Sequence, residues 1–277
     1  MTDGDLSRSR AIASRNGAVL AEVSIRAKDG AVLKAWSIVP VKSNGGAVIL
    51  LHGQSDNRVG MMGNADLLLR NGYAVLLPDA RAHGESGGAI ATHGVLESDD
   101  IHKWVEWLEQ NDSPRCVYGL GDSMGGGQLL NSLADGPRFC AVIAESPFSD
   151  FRSSVYDRLG QEFGAGAWLG RTVFRPVATL GSMYAKWKYG IDLERDSPIR
   201  SAASSHTPIF LIHGLADENL PSYHSERIKA ADDSVVLWEP PNAGHCGAYE
   251  VAPAEYERRV VAWFRSHDKA GSALKLN

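Results

Sequence analysis

The chain is poor in cysteine, in long apolar runs and in surplus positive charge, and each shortage excludes a class of protein. Three cysteines, Cys116, Cys140 and Cys246, cannot all pair, and they are far too few for a disulfide scaffold in 277 residues. Their scarcity points to a reducing compartment. No Cys or His cluster has the spacing of a zinc site, and no glycine-rich loop carries a P-loop lysine. Neither a metal nor an organic cofactor is therefore expected. The longest apolar runs, AVILL and AVLL, are strand-sized and well short of the ~18 residues that a membrane helix needs. The opening MTDGDLSRSRAIASRNG has no apolar stretch between a basic start and a cleavage site, so it does not read as a signal peptide. The expected location is cytoplasmic, with no membrane span. A formal net charge of -5 and a pI near 6.0 argue against binding to nucleic acid or an acidic membrane by bulk electrostatics.

What the chain does have is an ordinary globular composition, 44% hydrophobic and 22% charged, enough to bury a large core. Two β-type runs, Val19–Ile25 and Val32–Val39, flank the turn Lys28-Asp29-Gly30 and predict a hairpin. From there strands alternate with helices. AVILLH (47–52) is continuously apolar, as a strand covered on both faces must be. A helix is predicted over 61–70, stopped by Asn71-Gly72, then strand YAVLLPD and a helix over 94–110. Strand CVYGLG, helix 124–133 and strand CAVIAES follow. The rhythm breaks between Pro147 and Thr207 and resumes with strand PIFLIHG, helix 221–230, strand VVLW and a closing helix from 253 to 267. This alternation predicts one α/β domain over residues 1–277, a mostly parallel sheet with helices on both faces. The interruption at about 147–206 reads as a helical insertion above the sheet. In such folds, sites lie at the carboxyl ends of the strands.

One of those ends holds GLGDSMGGG, where a serine sits among glycines at the very point where a helix should start. Glycine inside a helix costs roughly 1 kcal/mol relative to alanine, so the glycines must serve another need. Gly121-Asp122-Ser123-Met124-Gly125 is the G-x-S-x-G nucleophile elbow, a tight strand-to-helix turn that exposes the serine Oγ. Side chains two residues before and after Ser123 would collide with each other or with a neighbouring strand. The alternative, a merely flexible loop, is disfavoured by the strand before it and the helix after it.

A serine nucleophile needs a base, and the base needs an orienting acid, in the chain order Ser, Asp/Glu, His. His245, in PPNAGHCG after the last strand, is the candidate base. His267 reads as a solvated group at a helix end, and His52, His83 and His213 read as structural. Asp217, in HGLADENLP after the penultimate strand, is the candidate acid, since Glu218 is displaced by one residue. The oxyanion hole needs two preorganised N–H donors: the amide of Met124, and that of Gln54 in the loop LLHGQSDN.

Four stretches, LLHGQSDN, DARAHGES, GDSMGGG and HGLADENLP with NAGH, together resemble the α/β-hydrolase superfamily, specifically its small serine esterase and lipase-like branch. They span almost the whole chain. The resemblance implies an eight-stranded sheet and carries a catalytic triad onto Ser123, Asp217 and His245. In DARAHGES many relatives have glycine where Ala82 stands, and Asp79, Arg81 and Ser86 are expected to fix the loop.

The implied reaction is two-step acyl transfer through an acyl-enzyme, on a small-molecule ester of small to medium acyl chain. A peptidase, thioesterase or amidase would use the same residues, although 277 residues leave no room for the large propeller of an oligopeptidase. A non-catalytic hydrolase-fold binding protein would normally lack a triad member. The inserted segment is rich in aromatics: Phe148, Phe151, Tyr156, Phe163, Trp168, Phe174, Tyr184, Trp187 and Tyr189. It is expected to cap the nucleophile, with Trp168 and Trp187 offered as acyl-pocket walls. Cys246 is expected to be a packing residue, not a reactive thiol.

Overall fold

The computed structural model describes residues 2–136, 138–162 and 166–269. Helix α1 (Asp3–Arg15) precedes strands β1 (Ala18–Arg26), β2 (Val32–Pro40) and β3 (Gly46–Leu51). Helix α2 (Met62–Arg70), β4 (Ala74–Pro78), α3 (Glu97–Asn111), β5 (Cys116–Asp122), α4 (Met124–Asn131) and β6 (Ala141–Glu145) continue the alternation. Four helices then run in succession: α5 (Phe151–Glu162), α6 (Gly166–Arg171), α7 (Arg175–Tyr189) and α8 (Pro198–Ser204). The chain closes with β7 (Ile209–Ile212), α9 (Tyr223–Ala231), β8 (Val236–Trp238), α10 (Ala248–Val251) and α11 (Pro253–Ser266).

The eight strands form one sheet in the order β1-β2-β4-β3-β5-β6-β7-β8. β1 and β2 pair antiparallel as the expected hairpin, β2 meets β4 antiparallel, and every later pairing is parallel. Side chains alternate across a strand, so a strand covered on both sides must be apolar at every position. β3 meets that demand. Val48 and Leu50 enter one core with Trp36, Tyr118 and Phe264, while Ala47, Ile49 and Leu51 enter the other with Trp104, Leu129 and Leu211. Burying a leucine- or isoleucine-sized side chain contributes roughly 1.5–3 kcal/mol, so these central strands anchor the scaffold on which the site is mounted.

Helix α8 is not part of an insertion above the sheet. It packs beside α4 and α9, with Ala202 buried in the second core. The segment that departs from the alternation is α5–α7. Helix α1 was not anticipated from periodicity. Its sequence signal is a capping box, in which the Thr2 hydroxyl accepts from the Asp5 amide and the Asp5 carboxylate accepts from the Thr2 amide.

Cys116 and Cys140, at the amino ends of β5 and β6, are joined in a disulfide with their Cα atoms 5.8 Å apart. Cys246 is left free. The cysteine count therefore gives no support to a reducing compartment. No described helix is long and apolar enough to cross a membrane.

Candidate active site

The carboxyl ends of the parallel strands border a cleft of about 310 Å³ whose wall includes Gly53, Gln54, Ser123, Met124, Phe148, Leu220 and His245. Ser123 stands between the last residue of β5 and the first of α4, with φ 53° and ψ −113°. Such a conformation in a non-glycine residue costs of order 1–3 kcal/mol. Its neighbours hold it there: the Ser123 amide donates to the Glu145 carbonyl at 2.8 Å, and the Gly127 amide donates to the Ser123 carbonyl at 3.0 Å. The flanking glycines supply room, not conformational freedom, since neither has positive φ. A Cβ on Gly121 would lie 2.6 Å from the Gly125 backbone, and one on Gly125 would lie 2.4 Å from the Leu51 carbonyl oxygen. Helix α4, the Ser123 turn and the end of β3 thus touch backbone to backbone.

Ser123, Asp217 and His245 come from three loops that the sheet brings together. His245 Nε2 is 2.8 Å from Ser123 Oγ, and His245 Nδ1 is 2.7 Å from Asp217 Oδ2. With Asp217 ionised, Nδ1–H donates to the carboxylate and Nε2 is left to accept the serine proton. Burial alone would raise the Asp217 carboxyl, but hydrogen bonds from His213 and His245 outweigh it and hold the group well below the usual carboxylate range. Its other oxygen accepts from the amides of Asn219 and Leu220, both at 2.9 Å. Asp217 is thereby fixed in place, charged and buried, while His245 keeps 22% of its side chain exposed toward the cleft.

The loop after β3 approaches from the other side. A Cβ on Gly53 would lie 3.6 Å from Ser123 Cβ, which puts Gln54 beside Ser123 at the cleft. Met124 begins α4, whose first amides have no intrahelical partner and whose positive dipole end faces the cleft. His52, expected to be structural, ties this loop down: its Nε2 accepts from the Ala80 amide at 3.0 Å and its Nδ1 donates to the Gly53 carbonyl at 2.8 Å. Burial lowers the His52 pKa and keeps that ring neutral. His213 is likewise enclosed, its ring nitrogens meeting Ser225 Oγ and the Leu220 carbonyl at 2.7 Å each. His267, expected to be solvated, instead packs half-buried on Trp263 at 4.3 Å.

The DARAHGES loop is built as a brace. Asp79 accepts from the amides of Arg58 and Glu85, and Ser86 Oγ donates to the Asp79 carbonyl. Arg81 forks onto Asp100 at 2.7 and 2.8 Å. Ala82 has φ 58°, a left-handed backbone that glycine adopts without steric cost.

Beneath Ser123, two buried carboxyls face each other at the ends of β5 and β6. Burial, and then the charge of Glu145, pushes Asp122 well up, and burial raises Glu145 too. Cys246 also lines the cleft. Burial and the nearby carboxylates raise its thiol well above the ordinary value, so it stays protonated and poorly nucleophilic.

Two expectations for the inserted segment need correction. Trp168 and Trp187 are 70% and 79% exposed, and neither lines the cleft. Phe163 lies outside the described residues. The wall facing Ser123 comes from Phe148, and from Ser154 and Arg158 of α5. His93, between β4 and α3, was also missed. It lines the cleft with its ring 6.3 Å from Phe148. Its only sequence signal was a histidine before a glycine in a loop.

A second Ser–His–Asp set lies nearby but fully enclosed. Ser149 Oγ is 2.9 Å from His224 Nδ1, and His224 Nε2 is 2.9 Å from Asp157 Oδ2.

The sheet, the elbow and the convergent loops define a serine hydrolase of the α/β-hydrolase superfamily. Residues 61–270 match the model of the prolyl oligopeptidase family, and the chain belongs to that family. Among its relatives is the uncharacterized protein YqkD of Bacillus subtilis, 27% identical over 82% of this chain and 73% of that protein. The crystal structure of the Pyrococcus furiosus esterase Pf2001 superposes with a TM-score of 0.72 at 26% identity, covering 91% of this chain and 94% of the esterase. The Pyrococcus horikoshii acylaminoacyl peptidase shares the fold, with a TM-score of 0.67 at 17% identity. The match covers 90% of this chain but 42% of the peptidase.

Proposed function

We propose that the protein is a carboxylesterase acting on esters of small to medium acyl chain, with Ser123 as nucleophile, His245 as base and Asp217 as orienting acid. The observation that carries this reading is the continuous relay from Ser123 Oγ through His245 to Asp217, at 2.8 and 2.7 Å, open to a cleft. His245 takes the Ser123 proton as Oγ attacks the ester carbonyl, and the backbone amides of Met124 and Gln54 donate to the developing oxyanion. His245 then protonates the leaving alcohol. The same imidazole activates water to hydrolyse the acyl-enzyme. Helix α5 covers one side of this cleft through Ser154 and Arg158, with Phe148 and Leu220 as apolar wall for the acyl chain.

An esterase is favoured by likeness to the Pyrococcus furiosus esterase over nearly that enzyme's whole length. A peptidase is the second reading, favoured by the family match. Covalent labelling with a fluorophosphonate, followed by parallel panels of p-nitrophenyl esters and aminoacyl p-nitroanilides, tests both. Labelling of Ser123 with faster turnover of the esters is the expected result. No labelling refutes the serine mechanism, and preferential anilide cleavage moves the protein to the second reading.

A further inference from the structure

Helix α7 is oriented against the usual rule for an amphipathic helix, which turns its apolar stripe toward the core. Val173 just before it, then Val177, Leu180, Met183, Tyr184 and Trp187, fall on one side at helical spacing, and each is between 50% and 79% exposed. The half-buried residues of the same helix are Ala178, Thr179, Ser182 and Ala185, all small or polar. No residue of α7 is fully buried. Trp168 of α6 adds another exposed ring on the same segment.

The charge of this segment is equally one-sided. Residues 166–190 contain four cations, Arg171, Arg175, Lys186 and Lys188, and no Asp or Glu, in a chain whose net charge is -5. Lys186 is 2.8 Å from Asp192, just beyond the helix, and Arg171 is 3.7 Å from Asp157. Lys188 lies over the rings of Tyr184 and Tyr189, at 5.3 and 5.1 Å, which leaves its charge at the edge of the apolar stripe. Arg175 is exposed.

We propose that α6 and α7 dock the protein on an anionic lipid surface, with the apolar stripe entering the headgroup region and the cations meeting acidic headgroups. An apolar face bearing Trp, Tyr and Leu and flanked by Lys and Arg is the composition of a helix that lies in a membrane interface without spanning it. At 15 residues α7 is too short to cross a bilayer. Charge decides against a second copy of the chain as the occupant. In a two-fold interface the same patch meets itself, so Arg175 and Lys188, the two cations not paired with a carboxylate among the described residues, would face their own copies, whereas an acidic leaflet complements them. The net charge of the whole chain opposes membranes, but fields fall off within about a Debye length, ~10 Å, and the local sign governs contact. Helix α5, which supplies Ser154 and Arg158 to the cleft, packs against both α6 and α7, so docking would bring the cleft close to the lipid surface.

Flotation of the intact protein with vesicles tests this without using activity, and so independently of the esterase assignment. About tenfold more protein should float with phosphatidylcholine–phosphatidylserine vesicles than with phosphatidylcholine alone, and raising the salt should abolish the difference. Leu180→Ser with Met183→Ser, and separately Arg175→Gln with Lys188→Gln, should each cut that binding about tenfold while circular dichroism stays unchanged. Absence of flotation with either vesicle overturns the proposal, as does unchanged binding by both double variants. It is also overturned if the wild type ignores vesicles and forms a dimer that Leu180→Ser with Met183→Ser dissolves, which would assign the face to a second copy.

Discussion

Replacing Gly125 by alanine adds one methyl group to the molecule, and the structure says where it goes. The new Cβ would lie 2.4 Å from the Leu51 carbonyl oxygen, 2.6 Å from the Leu51 carbonyl carbon and 2.7 Å from the His52 carbonyl oxygen, against a floor of 3.0 Å for real Cβ contacts. All three are backbone atoms, so no side chain can swing aside. Either α4 lifts off the end of β3 or β3 is pushed away from β5, to which Leu51 is paired at Gly121. Overpacking of this kind costs about 1–3 kcal/mol, and a chain of this size loses about 2–4 °C of Tm for each kcal/mol. Both movements also displace the Ser123 turn relative to the Gly53–Gln54 loop. A misplacement near 1 Å is enough to cost about 10²-fold in rate. Gly181→Ala is the control, because a Cβ there meets nothing within 4 Å and α7 gains a better helix former, worth about 0.5–1 kcal/mol. Urea unfolding and fluorophosphonate labelling rates for both variants check the argument. If Gly125→Ala unfolds with the wild-type midpoint and labels at the wild-type rate, the reasoning from backbone contact is wrong.

Ser123→Ala should lower kcat by roughly a millionfold, since triad members act as a unit, and retention of a tenth of the esterase activity would remove Ser123 from the mechanism. Cys246→Ser should leave activity within a few-fold, because the thiol stays protonated and the neighbouring His245 turns its Nε2 to Ser123 Oγ instead; complete inactivation of a folded variant would contradict this. Asp122 has a folded-state pKa raised by burial and then by Glu145, so the native chain holds a proton there that the unfolded chain releases above about pH 4. Stability from this group therefore declines as pH rises, and Asp122→Asn should show a Tm advantage over wild type that grows from pH 5 to pH 8. A constant difference across that range would refute it.

What could be read in advance follows from the range of the interaction involved. β3, β5 and β6 were legible because strands buried on both faces must be apolar at every position, and the glycines around Ser123 because the clash they avoid is local. The order of the sheet was not legible, since pairing β2 with β4 and β3 with β5 joins residues far apart in the chain. The Cys116–Cys140 disulfide has the same cause: it exists because β5 and β6 are neighbours, which the cysteine spacing does not encode. The inserted aromatics misled for a different reason. A stripe at helical spacing states that one face is apolar but not which way the face points, and on α7 it points outward.

The buried set of Ser149, His224 and Asp157 shows how little composition and distance alone decide. Its three residues follow the same chain order as Ser123, Asp217 and His245, and its two contacts, at 2.9 Å each, are nearly as short as the 2.8 and 2.7 Å of that set. Three features separate the two sets. Ser149, His224 and Asp157 are at most 1% exposed, so no carbonyl can reach the hydroxyl. His224 Nδ1 already accepts from the Ser149 amide at 3.1 Å, and Ser149 Oγ also meets Arg227 at 3.0 Å, so neither atom is held ready for a proton transfer. And Ser149 is free of the positive φ that marks Ser123. The first set is built for access at the expense of strain, the second for satisfied burial. Ser149→Ala should therefore keep wild-type fluorophosphonate labelling while losing about 1–3 kcal/mol of stability, the cost of disrupting a buried hydrogen-bond network. Ser123→Ala should do the reverse, abolishing labelling with the unfolding midpoint preserved. Loss of labelling in a folded Ser149→Ala variant would show that the assignment of roles between the two serines is mistaken.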